Sequence, residues 1–171
     1  MQINAIKILR SKKRRRTVSA HMVKDILMVR APENIPENRL EKVVAELKAR
    51  IERKHLKEEL NKHEYLALRV KEFNRQYFEN KLNINSIEYV TDQNSKFGCC
   101  NYRTGCIRIS HRISAMPQWV RDYVIIHELA HLAVPDHSKA FWDIVNRYKL
   151  AERARGYLIA AGSEEELMTW K

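Results

Sequence analysis

The sequence predicts an α+β fold: antiparallel strands packed with helices, with His-Glu-x-x-His on a central helix. Three observations carry this. Along the chain the patterns run strands, helices, strands, helices, without the alternation that a parallel βαβ sheet requires. From Pro117 onward, Val120, Val124, His127, His131 and Val134 hold one stripe at helical spacing. Finally, KFGCCN and CIRIS flank Tyr102-Arg103-Thr104-Gly105, a hairpin turn with Gly where unusual torsions are needed.

Taken in order, Ile3 to Leu9 reads as a first strand, followed by five consecutive cations, Lys12, Lys13, Arg14, Arg15 and Arg16. In TVSAHM, Val18, Ala20 and Met22 share one face, and ILMVR follows a polar turn at Val23-Lys24-Asp25. Two or three antiparallel strands are expected, with the basic run at their first connection. Pro36 opens a helix whose core side is Leu40, Val43, Val44, Leu47 and Ile51. A second helical pattern, Leu66, Val70, Phe73 and Tyr77, runs to about Asn80; the Lys/Glu-rich stretch between fits one long helix or a hairpin. SIEYVT is a strand, then come the hairpin and the histidine helix. Phe141, Trp142, Val145 and Tyr148 make one face of the next helix, LAERARGYLIA a short last one, and SEEELMTWK a tail.

At 171 residues the expectation is a single domain over 1–171: basic strands at 1–30, a helical scaffold at 36–82 and a site core at 86–149. No apolar run is long enough to span a membrane, so no membrane partner is expected, and the N-terminus lacks the order of charges of a secretory signal. Three cysteines, two of them adjacent (Cys99, Cys100, Cys106), do not make a disulfide framework. A cytoplasmic location is the economical expectation. The net charge of +11 is concentrated in the first thirty residues, which makes Lys12 to Arg16 candidates for phosphate groups of a nucleotide or for weak nucleic-acid contact. The alternative is a solvated turn.

HELAHLAVPDH, His127 to His137, carries the chemistry. Imidazoles four residues apart lie one above the other on a helix, and here they point where the aliphatic stripe points. Such a pair chelates one metal ion, and Glu128, beside the first, is placed to act on water. Pro135 stops the helix, Asp136 or Ser138 can cap a new one, and the break lets His137 return as a third ligand. Three nitrogens and one open position suit one catalytic Zn2+. The competing reading is an amphipathic helix with two core histidines and Glu128 in solvent.

SKKRRRTVSA, KFGCC, and DYVIIHELAHL followed by DHSKAFW resemble the YgjP-like family of small metal-dependent hydrolases, related to WLM and SprT-like zinc metallopeptidases. The resemblance implies a zincin-like α+β domain, zinc on His127, His131 and His137, and Glu128 as general base. The family usually has Trp-Gly-Ser-Cys where this chain has Phe97-Gly98-Cys99-Cys100. Metzincins also place a third His six residues after the second, but with Gly midway; Val134 stands here.

The expected reaction is peptide hydrolysis, with Glu128 moving the proton from water to the leaving amine. Tyr102, His111 and Tyr148 are candidate oxyanion donors, and Asp136 or Asp143 could orient an imidazole. The hairpin could align an extended peptide at its edge. Rival readings are nucleotide phosphohydrolysis using Lys12 to Arg16, proteolysis associated with DNA, and a metal that only holds the fold. The three cysteines, His21, His55, His63, Trp119, Phe141 and Trp142 read as packing or surface residues.

Overall fold

In the computed structural model, residues 3–162 are described. The SEEELMTWK tail, residues 163–171, lies outside them. The chain divides into two compact units, Met1–Leu56 and Lys57–Lys171.

The first unit holds β1 (Ala5–Ser11), β2 (Ser19–Val23), β3 (Ile26–Pro32) and most of α1 (Glu37–Lys62). Strand β3 is central, and Leu27, Val29 and Ala31 alternate onto one face, where they bury with Leu40 and Val44 of α1. The partly buried Val18, Ala20 and Met22 pack against the same core. β2 and β3 form the expected antiparallel hairpin, turned at Lys24 with φ of 54°. The all-antiparallel expectation fails for β1, which pairs parallel to β3 on its other edge. A seven-residue connection dominated by cations is too long and too self-repelling for a tight hairpin. The short Lys24-Asp25 turn therefore claims β3 for β2, and β1 takes the edge that is left.

The second unit contains α2 (Tyr65–Phe78), β4 (Ser86–Val90), β5 (Gly98–Asn101), β6 (Cys106–Ser110), α3 (Gln118–Ala133), α4 (Lys139–Val145) and α5 (Ala151–Ala161). The Lys/Glu-rich stretch thus resolves into two helices separated at His63 and Glu64. β6 is central, paired antiparallel with β5 through the Gly105 turn (φ 68°) and parallel with β4. A short 3₁₀ turn at His111–Ala115, which the sequence pattern does not announce, leads to Pro117 and α3.

From Asp122 to Ala130 every residue of α3 is buried, so this helix is enclosed on all sides and not merely amphipathic. It packs against β5, α2, α4 and α5. Asp122 fixes it to α2: its carboxylate accepts from Arg69 Nε (2.9 Å) and Nη2 (2.6 Å) and from the Tyr65 hydroxyl (3.1 Å). The Asn61 side chain joins the end of α1 to β4, donating to the Tyr89 carbonyl (2.9 Å) and accepting from the Tyr89 amide (2.8 Å). No described helix is long and apolar enough to cross a membrane.

Candidate metal centre

The α3 helix ends at Ala133, Val134 is extended, and Pro135 follows. Four residues later α4 begins behind Ser138. The turn between them returns His137 to α3. Its Nε2 lies 3.2 Å from His127 Nε2, and ligand nitrogens of His127, His131 and His137 all fall within 4.8 Å of one another. A tetrahedral site with bonds of about 2.0–2.1 Å spaces its nitrogens roughly 3.3–3.4 Å apart. The His127–His137 separation is close to that, and His131 offers a third nitrogen within 4.8 Å of both, which makes the cluster a candidate site for one ion.

Burial lowers the pKa of all three imidazoles, most strongly for His127, which also feels its two neighbours. The neutral form that a metal requires is therefore favoured. Phe141 sits against the whole cluster, its ring centroid 4.8, 4.5 and 4.7 Å from those of His127, His131 and His137. Trp142 stacks on His137 at 5.5 Å with an interplanar angle of 19°. In sequence these two aromatics read as packing residues; the signal for their place at the site is that they lie four and five residues after His137, on the helix it precedes.

Glu128 is 3 % exposed, which removes the reading that puts it in solvent. Burial pushes its carboxyl up to about 8, against a weaker opposing pull from Lys96. Its neighbour is Gly98 of β5, so close that an added Cβ would lie 2.3 Å from Glu128 Oε1 and 2.7 Å from both Cγ and Cδ. Gly98 is thus required by close approach, a role that only the packing of β5 on α3 reveals.

Lys96, Gly98, Cys99, Cys100, Tyr102 and Pro135 complete a cleft of about 230 Å³ over Glu128 and the histidines. Of the three oxyanion candidates, only Tyr102 lines it; the Tyr148 hydroxyl donates to the Trp119 carbonyl (3.1 Å) instead. Asp143 is engaged by Lys139 Nζ (2.7 Å) on the surface, whereas Asp136 lies where its charge acts on His137. The cysteines are free thiols; burial raises Cys100 to about 12, far from a reactive thiolate. None of Lys12 to Arg16 lines this cleft: four of them line a separate one in the first unit, and Lys13 lines neither.

Residues 62–151, over half of the chain and the whole of this site, match a family model described as a YgjP-like, metallopeptidase domain. The chain belongs to the YgjP-like family. Membership implies a catalytic metal, and the histidine cluster is where the described residues could hold one. Among solved structures, the metallopeptidase zymogen of Pyrococcus abyssi abylysin is similar, with a TM-score of 0.47 and 19 % identity. That match covers 53 % of this chain and 86 % of abylysin. A comparison with curated proteins finds no match.

Proposed function

We propose that this YgjP-like protein is a zinc-dependent peptidase in which His127, His131 and His137 hold the ion and Glu128 is the general base. The observation that carries the reading is the convergence of three imidazole nitrogens beside a buried carboxylate in one cleft. Zinc held by these three imidazoles would supply a water of lowered pKa, toward about 7, and a Lewis acid for the carbonyl.

The chain's own residues do the rest. Glu128 takes the proton of the attacking water and returns it to the leaving amine, a role that needs a carboxylate fixed within one hydrogen bond of both. Gly98 leaves the space in which that carboxylate lies. Phe141 and Trp142 hold the imidazole planes, so that the ligand set is formed before substrate arrives. Tyr102 donates its phenol to the oxyanion. β5 is an edge strand of its sheet and also lines the cleft, so an extended peptide can add to it with its backbone across Glu128. This open strand edge is what favours a peptide over a nucleotide as substrate.

Glu128→Gln tests the assignment. One zinc per chain should remain by elemental analysis, while cleavage of a mixed peptide library falls by about 10²–10⁴-fold. Unchanged turnover would remove Glu128 as the base. Turnover of nucleotides with no peptide cleaved would overturn the peptidase reading.

A further inference from the structure

A concavity of about 610 Å³ lies wholly within the first unit. One wall is the β1–β2 connection with Lys12, Arg14, Arg15 and Arg16; the other is the loop leaving β3 and Arg39 in the first turn of α1. Backbone bonds pin the two walls together. The Ser11 carbonyl accepts from the amides of both Arg14 and Glu33 (3.3 Å each), and Arg10 donates to the Glu33 carbonyl (3.1 Å) while pairing with Glu37. The cations are therefore displayed on an ordered frame.

Five cations face this cleft against one carboxylate, Glu33. Among the described residues, Lys12, Arg15, Arg16 and Arg39 pair with no carboxylate, and Arg14 reaches only Thr17, at 3.5 Å. Residues 1–56 hold 15 basic and 6 acidic side chains, which is nine of the eleven net charges of the whole chain. Like charges gathered in a concave, partly apolar cleft repel one another and focus a strong positive potential. Pro32, Ile35 and Pro36 supply the apolar part, and no aromatic side chain lines the cleft. A nucleobase thus has no ring to stack on. A flat lipid surface cannot enter a concavity, whereas a convex string of phosphates can.

We propose that this cleft binds the phosphodiester backbone of nucleic acid without reading its bases. The inference is independent of the histidine cluster and its reaction. With five phosphate contacts, log affinity for duplex DNA falls with log salt at a slope of about −4.5, a loss of roughly 500-fold between 50 and 200 mM.

The test is fluorescence anisotropy of the full chain on a labelled 30-base-pair duplex across that range. Arg15→Gln/Arg16→Gln/Arg39→Gln should flatten the slope to about −1.8, so that the same change of salt costs only ~12-fold. The same charge removed from α1 by Lys42→Gln/Arg50→Gln/Arg53→Gln should leave the slope near its original value. Equal flattening by both triples, or none by the first, overturns the proposal. Circular dichroism checks folding; if the first triple unfolds, Arg15→Gln and Arg16→Gln alone should each remove about 0.9 from the slope, and no change in either refutes it. A duplex of different base composition should bind alike, and marked preference would count against backbone binding. Full displacement by inorganic tripolyphosphate matched in phosphate, or binding to phosphatidylserine vesicles but not to the duplex, would also overturn it.

Discussion

Replacing Gly98 by Ala adds one methyl group at the point where the sheet meets the base. The new carbon would lie 2.3 Å from Glu128 Oε1, and ordinary contact begins near 3.4 Å, so a gap of about 1 Å has to open. Rotating the carboxylate tip alone does not relieve this, because Cγ and Cδ are each only 2.7 Å away and the side chain is buried. Gly98 is also buried and paired with Ile109 of β6, which limits how far the strand can retreat. Overpacking of this kind costs about 1–3 kcal/mol. A 1 Å displacement of a catalytic group lowers kcat/KM by about 10²-fold. The three atoms nearest the added methyl all belong to Glu128 and none to a histidine, so zinc content should hold. The control is Gly156→Ala on α5, where a Cβ meets nothing within 4 Å. That change should leave activity alone and stabilise the helix, at this exposed position, by about 0.5–1 kcal/mol. Peptide cleavage, zinc stoichiometry and thermal melts on both variants make the comparison. Wild-type kcat/KM in Gly98→Ala would show that this close approach does not position Glu128.

Asp122→Ala strands Arg69 and the Tyr65 hydroxyl between α2 and α3. With Arg69 still one-fifth exposed and paired with Glu72, about 3 kcal/mol should be lost, read as a fall of roughly 6–12 °C in Tm. Chelation should lower Tm, and zinc restored to about a hundred times its Kd should return roughly 2.7 kcal/mol; a melt indifferent to zinc would deny the histidines an ion. Gly105→Ala forces an L side chain to φ 68° with its Cβ 2.8 Å from the Asn83 carbonyl. A loss of about 1–2 kcal/mol in urea unfolding is expected, without loss of zinc.

Local chemistry alone determined much of this protein. The i, i+4 histidines, Pro117 before α3, Pro135 after it and Gly105 in its turn act within a few residues, so the helix, its end, the hairpin and the return of His137 toward α3 are legible in the sequence. The α+β class followed from periodicity. Tertiary structure decided the remainder, because those features join residues far apart along the chain. β1 lies parallel to β3 since an antiparallel hairpin had already claimed the other edge. Asp122 is a buried anchor because Arg69 arrives from α2. Gly98 looks in sequence like any strand glycine, and only the approach of α3 makes its missing side chain the space that Glu128 occupies. Arg39 likewise joins Lys12, Arg14, Arg15 and Arg16 only because Ser11 and Arg10 tie the end of β1 to the loop leaving β3 and to the start of α1, a closure that no sequence periodicity encodes.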